Sequence, residues 1–179
     1  ISSAAVRADL PTAAALLGDS VGRITPSATV VGYSLGGRVC LHLAIARPSL
    51  VDRLVTIGAH PGIEDDAARA ERREADERLA ARLVAIGLDA FLREWVAQPL
   101  FGSLQPTDAD LADRERNTVD GLASSLRSAG TGTQQPLWAQ LPTLAMPVLA
   151  MAGRDDTKFA AIAARLADGV QRGQSLLVD

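Results

Sequence analysis

The sequence predicts an α/β protein with a mostly parallel sheet, helices on both faces of that sheet, and a helical insertion. Two short apolar runs, at 27–32 and 54–58, lie in the first third of the chain, and two more, at 147–152 and 175–178, lie near its end. Helical sequence alternates with these runs. Strands that alternate with helices are typical of βαβ units, whose strands pair in parallel.

Each predicted element has a local reason. Pro11 suits the first turn of a helix and Gly18 suits its end, so the first helix is predicted at 11–17. The run at 27–32 is short and rich in β-branched residues, which favours a strand that is buried on both faces, and the run at 54–58 is predicted to be a second buried strand. A helix after the first strand ends before Pro48, because proline disfavours helical geometry in the preceding residue. The helices besides the first are predicted at 36–47 and 158–168.

Charge rises sharply at residues 63–78, and the sequence then stays polar until about residue 141. We interpret most of these charges as the solvated face of a helix. We therefore assign residues 1–62 and 142–179 to an α/β core and residues 63–141 to a helical lid.

Composition narrows the classes of function. The chain has 179 residues, which suits one domain, and its 18 basic and 21 acidic side chains give a net charge of −3. A nucleic-acid-binding domain usually carries a basic surface instead. Cys40 is the only cysteine, which favours a reducing compartment, and two histidines argue against a histidine-rich metal site. We expect a cytoplasmic protein, since no apolar run approaches the ~18 residues of a membrane span.

Gly32, Ser34 and Gly36 match the motif Gly-x-Ser-x-Gly between a predicted strand and a predicted helix. In that context the serine occupies a tight turn at the carboxyl end of the strand, and the glycines leave room for the turn. The amide of Leu35 would then face a substrate oxygen at the start of the helix. The alternative is a strand–helix turn with an incidental serine. The context favours a nucleophile elbow and, with it, the α/β-hydrolase fold.

The catalytic triad of that fold runs serine, acid, histidine along the chain. Asp156 is the candidate acid because it follows a later predicted strand, whereas Asp155 is better explained as a helix cap or loop charge. Both histidines precede Asp156. We interpret His42 as a satisfied, packed residue of the elbow helix, and His60, after a strand, as a pocket-mouth or turn residue. Neither is a suitable general base, so the triad is incomplete in this sequence.

Three arginines are candidates for binding carboxylates, because a guanidinium donates two parallel hydrogen bonds to a carboxylate. Arg38 lies one helical turn beyond Ser34, although a surface position explains it equally well. Arg72 falls on an apolar helical stripe, so it should face the core and need an anion, either a ligand or an internal acid. Arg116 lies on a weaker stripe, where a surface position is the simpler explanation. Three such arginines beside one serine would predict a substrate with several carboxylates.

Trp95 and Phe101 stand out in a chain with only 3% aromatic residues. Both are pocket candidates within the insertion, although packing inside the lid is the simpler explanation. Tyr33, inside the serine motif, is a third aromatic candidate for substrate contact.

Several motifs together resemble a known family. They are Gly32-Tyr-Ser-Leu-Gly-Gly-Arg38, His60-Pro-Gly62, Ala70-Glu-Arg72, Gln98-Pro-Leu-Phe101 and Gly153-Arg-Asp-Asp-Thr-Lys-Phe159. At this spacing the chain is similar, over most of residues 28–168, to the 2-succinyl-6-hydroxy-2,4-cyclohexadiene-1-carboxylate synthases of menaquinone biosynthesis. These enzymes have the α/β-hydrolase fold.

The resemblance implies a lyase that eliminates pyruvate through a serine triad, with no cofactor and no metal. It implies catalytic roles for Ser34 and Asp156. It also implies that Arg38, Arg72 and Arg116 hold the carboxylates of the substrate, and that Trp95 lines the pocket. The family's loop with the second oxyanion amide would precede Ile1, and its catalytic histidine would follow Asp179. We therefore expect a sequence truncated at both ends.

Two alternatives remain at this stage. The first is a serine esterase or carbon–carbon bond hydrolase of the same fold, with Ser34 as an acylated nucleophile. The second is a catalytically inactive fragment that at most binds anions. The oligomeric state is not indicated by the sequence.

Overall fold

A computed structural model describes residues 8–98, 107 and 113–179. The elements in these ranges are α1 (Leu10–Gly22), β1 (Ala28–Tyr33), α2 (Leu35–Ala46), β2 (Val51–Ile57), α3 (Asp66–Ile86), α4 (Leu88–Val96), α5 (Val119–Ala129), β3 (Val148–Gly153), α6 (Thr157–Gly169) and β4 (Gly173–Val178). Short 3-10 helices, Pro48–Leu50 and Trp138–Thr143, precede β2 and β3. The predicted alternation of strands and helices around a helical middle is confirmed. Phe101 lies outside the described residues.

The strands form one parallel sheet in the order β1-β2-β3-β4. Tyr33 at the end of β1 pairs with Ile57 of β2, and Ile57 pairs with Met151 of β3, so these strands end side by side. Helix α2 packs on β1 and β2, and α6 packs on β3 and β4. The loops that follow parallel strands therefore meet at one edge of the sheet, where ligands bind in such folds.

The main hydrophobic core of the described residues lies between the sheet and helices α1, α2 and α6. Its fully buried side chains include Leu41, Leu43, Leu54, Leu144 and Leu166. In contrast, Val31 and Tyr33 of β1 are 61% and 72% exposed, and Leu176 of β4 is 45% exposed. Successive side chains of a strand point to opposite faces, so these residues lie on the face away from the core. Within the described residues, the prediction that the first strand is buried on both faces is wrong, since Val31 and Tyr33 of β1 are exposed.

Helix α1 continues past Gly18, where the sequence predicted its end, and ends at Gly22. Gly18 is buried against α2, and a Cβ placed there would lie 2.9 Å from Cδ1 of Leu43. The glycine therefore permits the close approach of α1 to α2 and does not end the helix.

The charged run forms the first part of α3, which packs with α4 and α5 around a second hydrophobic cluster. The buried members of this cluster are Ala80, Leu83, Phe91 and Ala123. Helix α3 begins after Asp65, whose Oδ1 accepts a hydrogen bond from the amide of Ala68 (2.7 Å), and ends at Ile86, just before Gly87, where φ is 78°. No described helix is both long and apolar enough to span a membrane. The helical insertion is present, and its function as a lid stays a prediction.

Candidate active site

Ser34 occupies a sharp turn between β1 and α2. Its φ is 48° and its ψ is −111°, and among the described residues it is the non-glycine residue with a positive φ. This conformation is unfavourable for a residue with a side chain, and such strain is typical of functional sites. The Ser34 amide donates to the carbonyl of Ile57 (2.8 Å), and the Ser34 carbonyl accepts from the amide of Arg38 (3.1 Å). The strand–turn–helix geometry of a nucleophile elbow is present, with the serine side chain exposed.

The glycines around Ser34 are not equivalent. A Cβ on Gly32 would lie 2.4 Å from the carbonyl carbon of Gly36 and 2.5 Å from the amide nitrogen of Gly37. A Cβ on Gly37 would lie 2.6 Å from the Cβ of Ala59, whereas a Cβ on Gly36 would meet nothing within 4 Å. Gly32 and Gly37 are therefore required by close packing between β1, α2 and the loop after β2, and Gly36 is not.

Leu35 and Tyr33 lie on either side of Ser34. Leu35 is the first residue of α2, so its amide has no helix carbonyl one turn earlier to accept its hydrogen bond. Amides at a helix N-terminus stabilise negative charge, which suits the predicted oxyanion role. Tyr33 is 72% exposed and is accessible to a ligand at this edge of the sheet.

Arg38 is a buried cation behind the elbow. It is only 9% exposed, and its Nη1 donates to Oε1 of Gln134 at 3.2 Å. Burial and, to a smaller extent, the positive charge of Arg72 lower the pKa of Arg38 to about 10, while Asp76 acts in the opposite direction. The surface alternative for Arg38 is therefore wrong. The side chain remains charged at neutral pH and lies within electrostatic range of Arg72.

The buried charge of α3 is Asp76 and not Arg72. The Arg72 side chain is 47% exposed and the Asp76 side chain only 4%, and Arg72 Nε donates to Asp76 Oδ1 at 2.9 Å. The buried positions of α3 are Asp76, Ala80 and Leu83, because the first turns of the helix extend beyond the core. The expectation that Arg72 faces the core is wrong, and the internal acid that was the alternative to a ligand is Asp76.

Asp156 follows β3 and caps α6. Its Oδ1 accepts a hydrogen bond from the amide of Phe159 at 3.0 Å, so the cap role expected for Asp155 belongs to Asp156. Ser34 follows β1, and β2 lies between β1 and β3. The two loops are thus two strand spacings, about 10 Å, apart. One imidazole between the two side chains would complete a triad.

His60 lies in the loop after β2. Its Nδ1 accepts a hydrogen bond from the amide of Gly62 (2.9 Å), and its ring packs edge-on against Trp138 with 6.0 Å between centroids. Burial is the main reason that the pKa of His60 is lowered to about 4. The positive charges of Lys158, Arg38 and Arg165 lower this pKa further, whereas the negative charge of Glu64 raises it. A base with so low a pKa is poorly suited to proton abstraction near neutral pH.

His42 lies one turn beyond Arg38 in α2. Its Nε2 is buried and has no hydrogen-bond partner within the described ranges. Burial, with the charge of Arg38, lowers the pKa of His42, and Asp9 opposes this effect. The packed position is confirmed, but the expectation of a satisfied ring is wrong.

A cavity of about 420 Å³ opens between the loop after β2 and helix α6. In its wall, the Arg165 guanidinium stacks on Trp138 at 3.8 Å and pairs with both carboxylate oxygens of Glu64 (2.6 and 3.0 Å). Both outer nitrogens of this guanidinium are therefore occupied by a carboxylate of the protein, whereas Arg72 uses its inner nitrogen, Nε, to bind Asp76. Carboxylate binding by Arg38 and Arg72 stays a prediction.

Trp95 and Arg116 lie in the insertion. Trp95 stacks on Phe91 with 5.9 Å between ring centroids and packs against the second hydrophobic cluster, which agrees with the simpler explanation of lid packing. The Arg116 side chain is 82% exposed and lies 3.5 Å from Asp113, which agrees with a surface position. Substrate contact stays a prediction for both.

Two residues at this site were missed from the sequence. Asp76 is four positions beyond Arg72 and in step with Ala80 and Leu83, so the helical period would have found it. Gln134 is only 4% exposed and lies 96 positions beyond Arg38, with an exposed glutamine, Gln135, next to it. No local pattern distinguishes the two glutamines.

Comparisons with known proteins agree with this geometry. A family model for the alpha/beta hydrolase fold matches residues 25–175. A 2-succinyl-6-hydroxy-2,4-cyclohexadiene-1-carboxylate synthase of Salmonella schwarzengrund (strain CVM19633) is 39% identical over 140 residues, which are 77% of this chain and 56% of that protein. The resemblance that the motifs indicated is thereby confirmed. The chain spans about half the length of the curated relatives it matches.

Solved structures give the same result. The structure of MenH from S. aureus superposes with a TM-score of 0.87 at 30% identity, over 95% of this chain and 66% of that one. A hydrolase from Pseudomonas aeruginosa PA01 has a TM-score of 0.63 at 24% identity, over 95% of this chain and 63% of the other, and shows the shared fold alone.

Proposed function

The chain belongs to the α/β hydrolase fold family, and within that family we propose that the protein is a 2-succinyl-6-hydroxy-2,4-cyclohexadiene-1-carboxylate synthase. In this reaction pyruvate is eliminated from a 2-succinyl-5-enolpyruvyl-cyclohexene-carboxylate intermediate of menaquinone biosynthesis. The observation that carries the proposal is the buried Arg38, one turn beyond Ser34 and within electrostatic range of Arg72. Two neighbouring cations, one of them a helical turn beyond the serine, suit a substrate with several carboxylates, whereas the elbow itself is common to esterases and lyases.

Ser34 would act at the reacting carbon. A triad base accepts the serine proton, and the serine oxygen removes a proton from the ring of the substrate. The carbon–oxygen bond to the enolpyruvyl group then breaks, the ring gains a double bond, and the leaving enolate takes up a proton to become pyruvate. The electrons stay within the substrate and its products, so the reaction needs no redox cofactor. The amide of Leu35 would stabilise the negative charge that develops in the transition state.

The triad base must come from another part of the protein. In this fold the histidine follows the acid along the chain, and His42 and His60 both precede Asp156. We propose that the histidine and the second oxyanion donor lie outside these 179 residues. Asp156 would orient the imidazole with a carboxylate oxygen, as the acid does in other serine triads.

The other predicted site residues complete the proposal. Arg38 and Arg72 would bind two carboxylates of the substrate, and Tyr33 would contact the substrate beside the serine. Arg116 and Trp95 would reach it from the lid, residues 63–141. We place the enzyme in the cytoplasm, because the free and buried thiol of Cys40 suits a reducing compartment.

The test is a direct comparison of two reactions. The protein encoded by the complete open reading frame is incubated with the enolpyruvyl intermediate, and pyruvate is measured with a lactate dehydrogenase coupled assay. A p-nitrophenyl ester series is tested in parallel. We expect enzyme-dependent pyruvate release and little ester cleavage. Rapid ester cleavage without pyruvate release would assign the protein to the esterases.

Replacing Ser34 tests the mechanism in the same assay. We expect Ser34→Ala to lower kcat for pyruvate release by at least about a hundredfold, which is the usual contribution of a positioned acid–base group. Thr25→Ala, which changes a hydroxyl before β1, is the control and should keep wild-type activity. An absence of turnover in the wild-type protein would favour the second alternative, a catalytically inactive protein that at most binds anions.

A further inference from the structure

Two buried polar side chains behind the arginines have no part in the proposed chemistry. Asp76 and Gln134 are 3% and 4% exposed. Burying a carboxylate is unfavourable unless its oxygens are hydrogen-bonded, yet Oδ2 of Asp76 has no partner among the described residues. A buried carboxylate with a hydrogen-bond partner on only one of its oxygens contributes little to stability, so its presence needs another explanation.

Asp76 does not use the two outer nitrogens of the Arg72 guanidinium. Its Oδ1 accepts from Nε of Arg72, the inner nitrogen of the guanidinium. The two outer nitrogens carry four N–H groups and are the ones that can bind a ligand carboxylate. On its other side, Asp76 is covered by Gly130: a Cβ there would lie 2.4 Å from Oδ2. The carboxylate is therefore held between a guanidinium and a backbone.

The turn that begins at Gly130 also reaches Arg38. The carbonyl of Gly130 accepts from the amides of Thr133 (3.1 Å) and Gln134 (3.2 Å). Gln134 then accepts from Nη1 of Arg38 through Oε1 and donates through Nε2 to the carbonyl of His60 at 3.4 Å. This short turn thus lies against Asp76, the partner of Arg72, at its start and contains Gln134, the partner of Arg38, at its end.

We propose that Asp76 and Gln134 are positioning residues that fix the guanidiniums of Arg72 and Arg38 so that both receive carboxylates of one substrate. This proposal rests on the proposed function. Gln134 is neutral and Asp76 is negatively charged, and this difference suits the different burial of Arg38 and Arg72. The neutral amide of Gln134 orients the buried Arg38 without cancelling its charge, whereas Arg72 is half exposed and keeps its outer nitrogens free of Asp76.

Steady-state kinetics with matched variants tests the proposal. Asp76→Asn and Gln134→Met keep the size of each side chain and remove the charge or the acceptor. The controls are Glu77→Gln, in an exposed ion pair on the same helix (2.7 Å from Arg127), and Gln135→Met, in the same turn. We expect KM for the enolpyruvyl intermediate to rise at least fivefold in Asp76→Asn and Gln134→Met, and less than twofold in the controls.

A purely structural role gives a different result. Partial unfolding lowers the amount of active enzyme, and so lowers apparent kcat, but leaves KM unchanged. Wild-type KM in both test variants, with or without a lower Tm, would overturn the proposal. Adding Asp76→Asn to Arg72→Ala should raise KM less than twofold further, because a residue that acts through Arg72 has little effect once Arg72 is gone. A full additional effect would also overturn it.

A binding measurement separates this proposal from the proposed function. The same proteins are titrated with citrate, a tricarboxylate probe, by calorimetry. We expect Kd to rise at least fivefold in the two test variants and to stay within twofold in the controls, whether or not the protein releases pyruvate. Equal citrate affinity in all five proteins would refute the positioning role, and loss of pyruvate release alone would count only against the lyase.

Discussion

Adding a single methyl group at Gly32 should disrupt the elbow, whereas the same change at Gly36 should not. A Cβ on Gly32 would lie 2.4 Å from the carbonyl carbon and oxygen of Gly36 and 2.5 Å from the amide nitrogen of Gly37. All three contacts are with backbone, so no side-chain rotation relieves them. Non-bonded heavy atoms pack favourably at about 3.5–4 Å, so α2 would have to move by about 1 Å from β1.

The size of the effect follows from this overlap. Overpacking in a well-packed region costs typically 1–3 kcal/mol, and a rigid backbone contact belongs at the upper end, so we expect about 3 kcal/mol of destabilisation for Gly32→Ala. In a domain of this size that corresponds to a decrease in Tm of about 6–12 °C. Gly36→Ala should raise the free energy of unfolding by up to about 1 kcal/mol, because alanine is the better residue inside a helix.

Urea unfolding followed by circular dichroism measures both variants against wild type, and pyruvate release measures the geometry of Ser34. We expect Gly32→Ala to lose activity even at temperatures where it is folded, since the serine moves with the turn. A Gly32→Ala protein within about 0.5 kcal/mol of wild type would refute the steric argument. So would a Gly36→Ala protein that is destabilised to the same extent.

Two further predictions concern buried groups that titrate. The pKa of His60 is about 4 in the folded protein against 6.5 when unperturbed, so the unfolded state binds the proton first as the pH falls. The free energy of unfolding should be unaffected by His60 above pH 7. Between about pH 6.5 and pH 4 it should fall by about 1–2 kcal/mol, because solvent screens this partly exposed ring and reduces the effect of the pKa difference. Urea titrations of His60→Asn should lack this part of the decrease, and an unchanged pH profile would contradict the prediction. Burial raises the pKa of the Cys40 thiol, so iodoacetamide should alkylate it slowly in the native protein and rapidly in urea; equal rates would show that the thiol is accessible.

The parts of the site that could be predicted from the sequence are those fixed by neighbours along the chain. The turn at Ser34 follows from glycines and a strand–helix boundary within a few residues, and the alternation of strands and helices follows from local periodicity. The predictions that were wrong concern residues whose structure depends on contacts with residues far away along the chain. Gly18 suggested the end of a helix because its packing against Leu43 is invisible locally. Burial of β1 on both faces was inferred from composition, although burial depends on what packs against each face.

The arginines show the same difference between what is set by neighbours along the chain and what is set by distant residues. Periodicity identified a charged residue on the buried side of α3 but chose Arg72, because a stripe drawn from the apolar C-terminal half does not reveal where the helix leaves the core. One turn further along, the buried residue is Asp76. Arg38 could be placed beside the serine by counting one turn, yet its partner, Gln134, lies 96 positions away. A sequence therefore reveals candidate cations more readily than the neutral or oppositely charged groups that contact them. Gln134 depends on tertiary contacts of this kind, and the buried Oδ2 of Asp76, which has no partner among the described residues, is the observation from which we propose a functional role for that carboxylate.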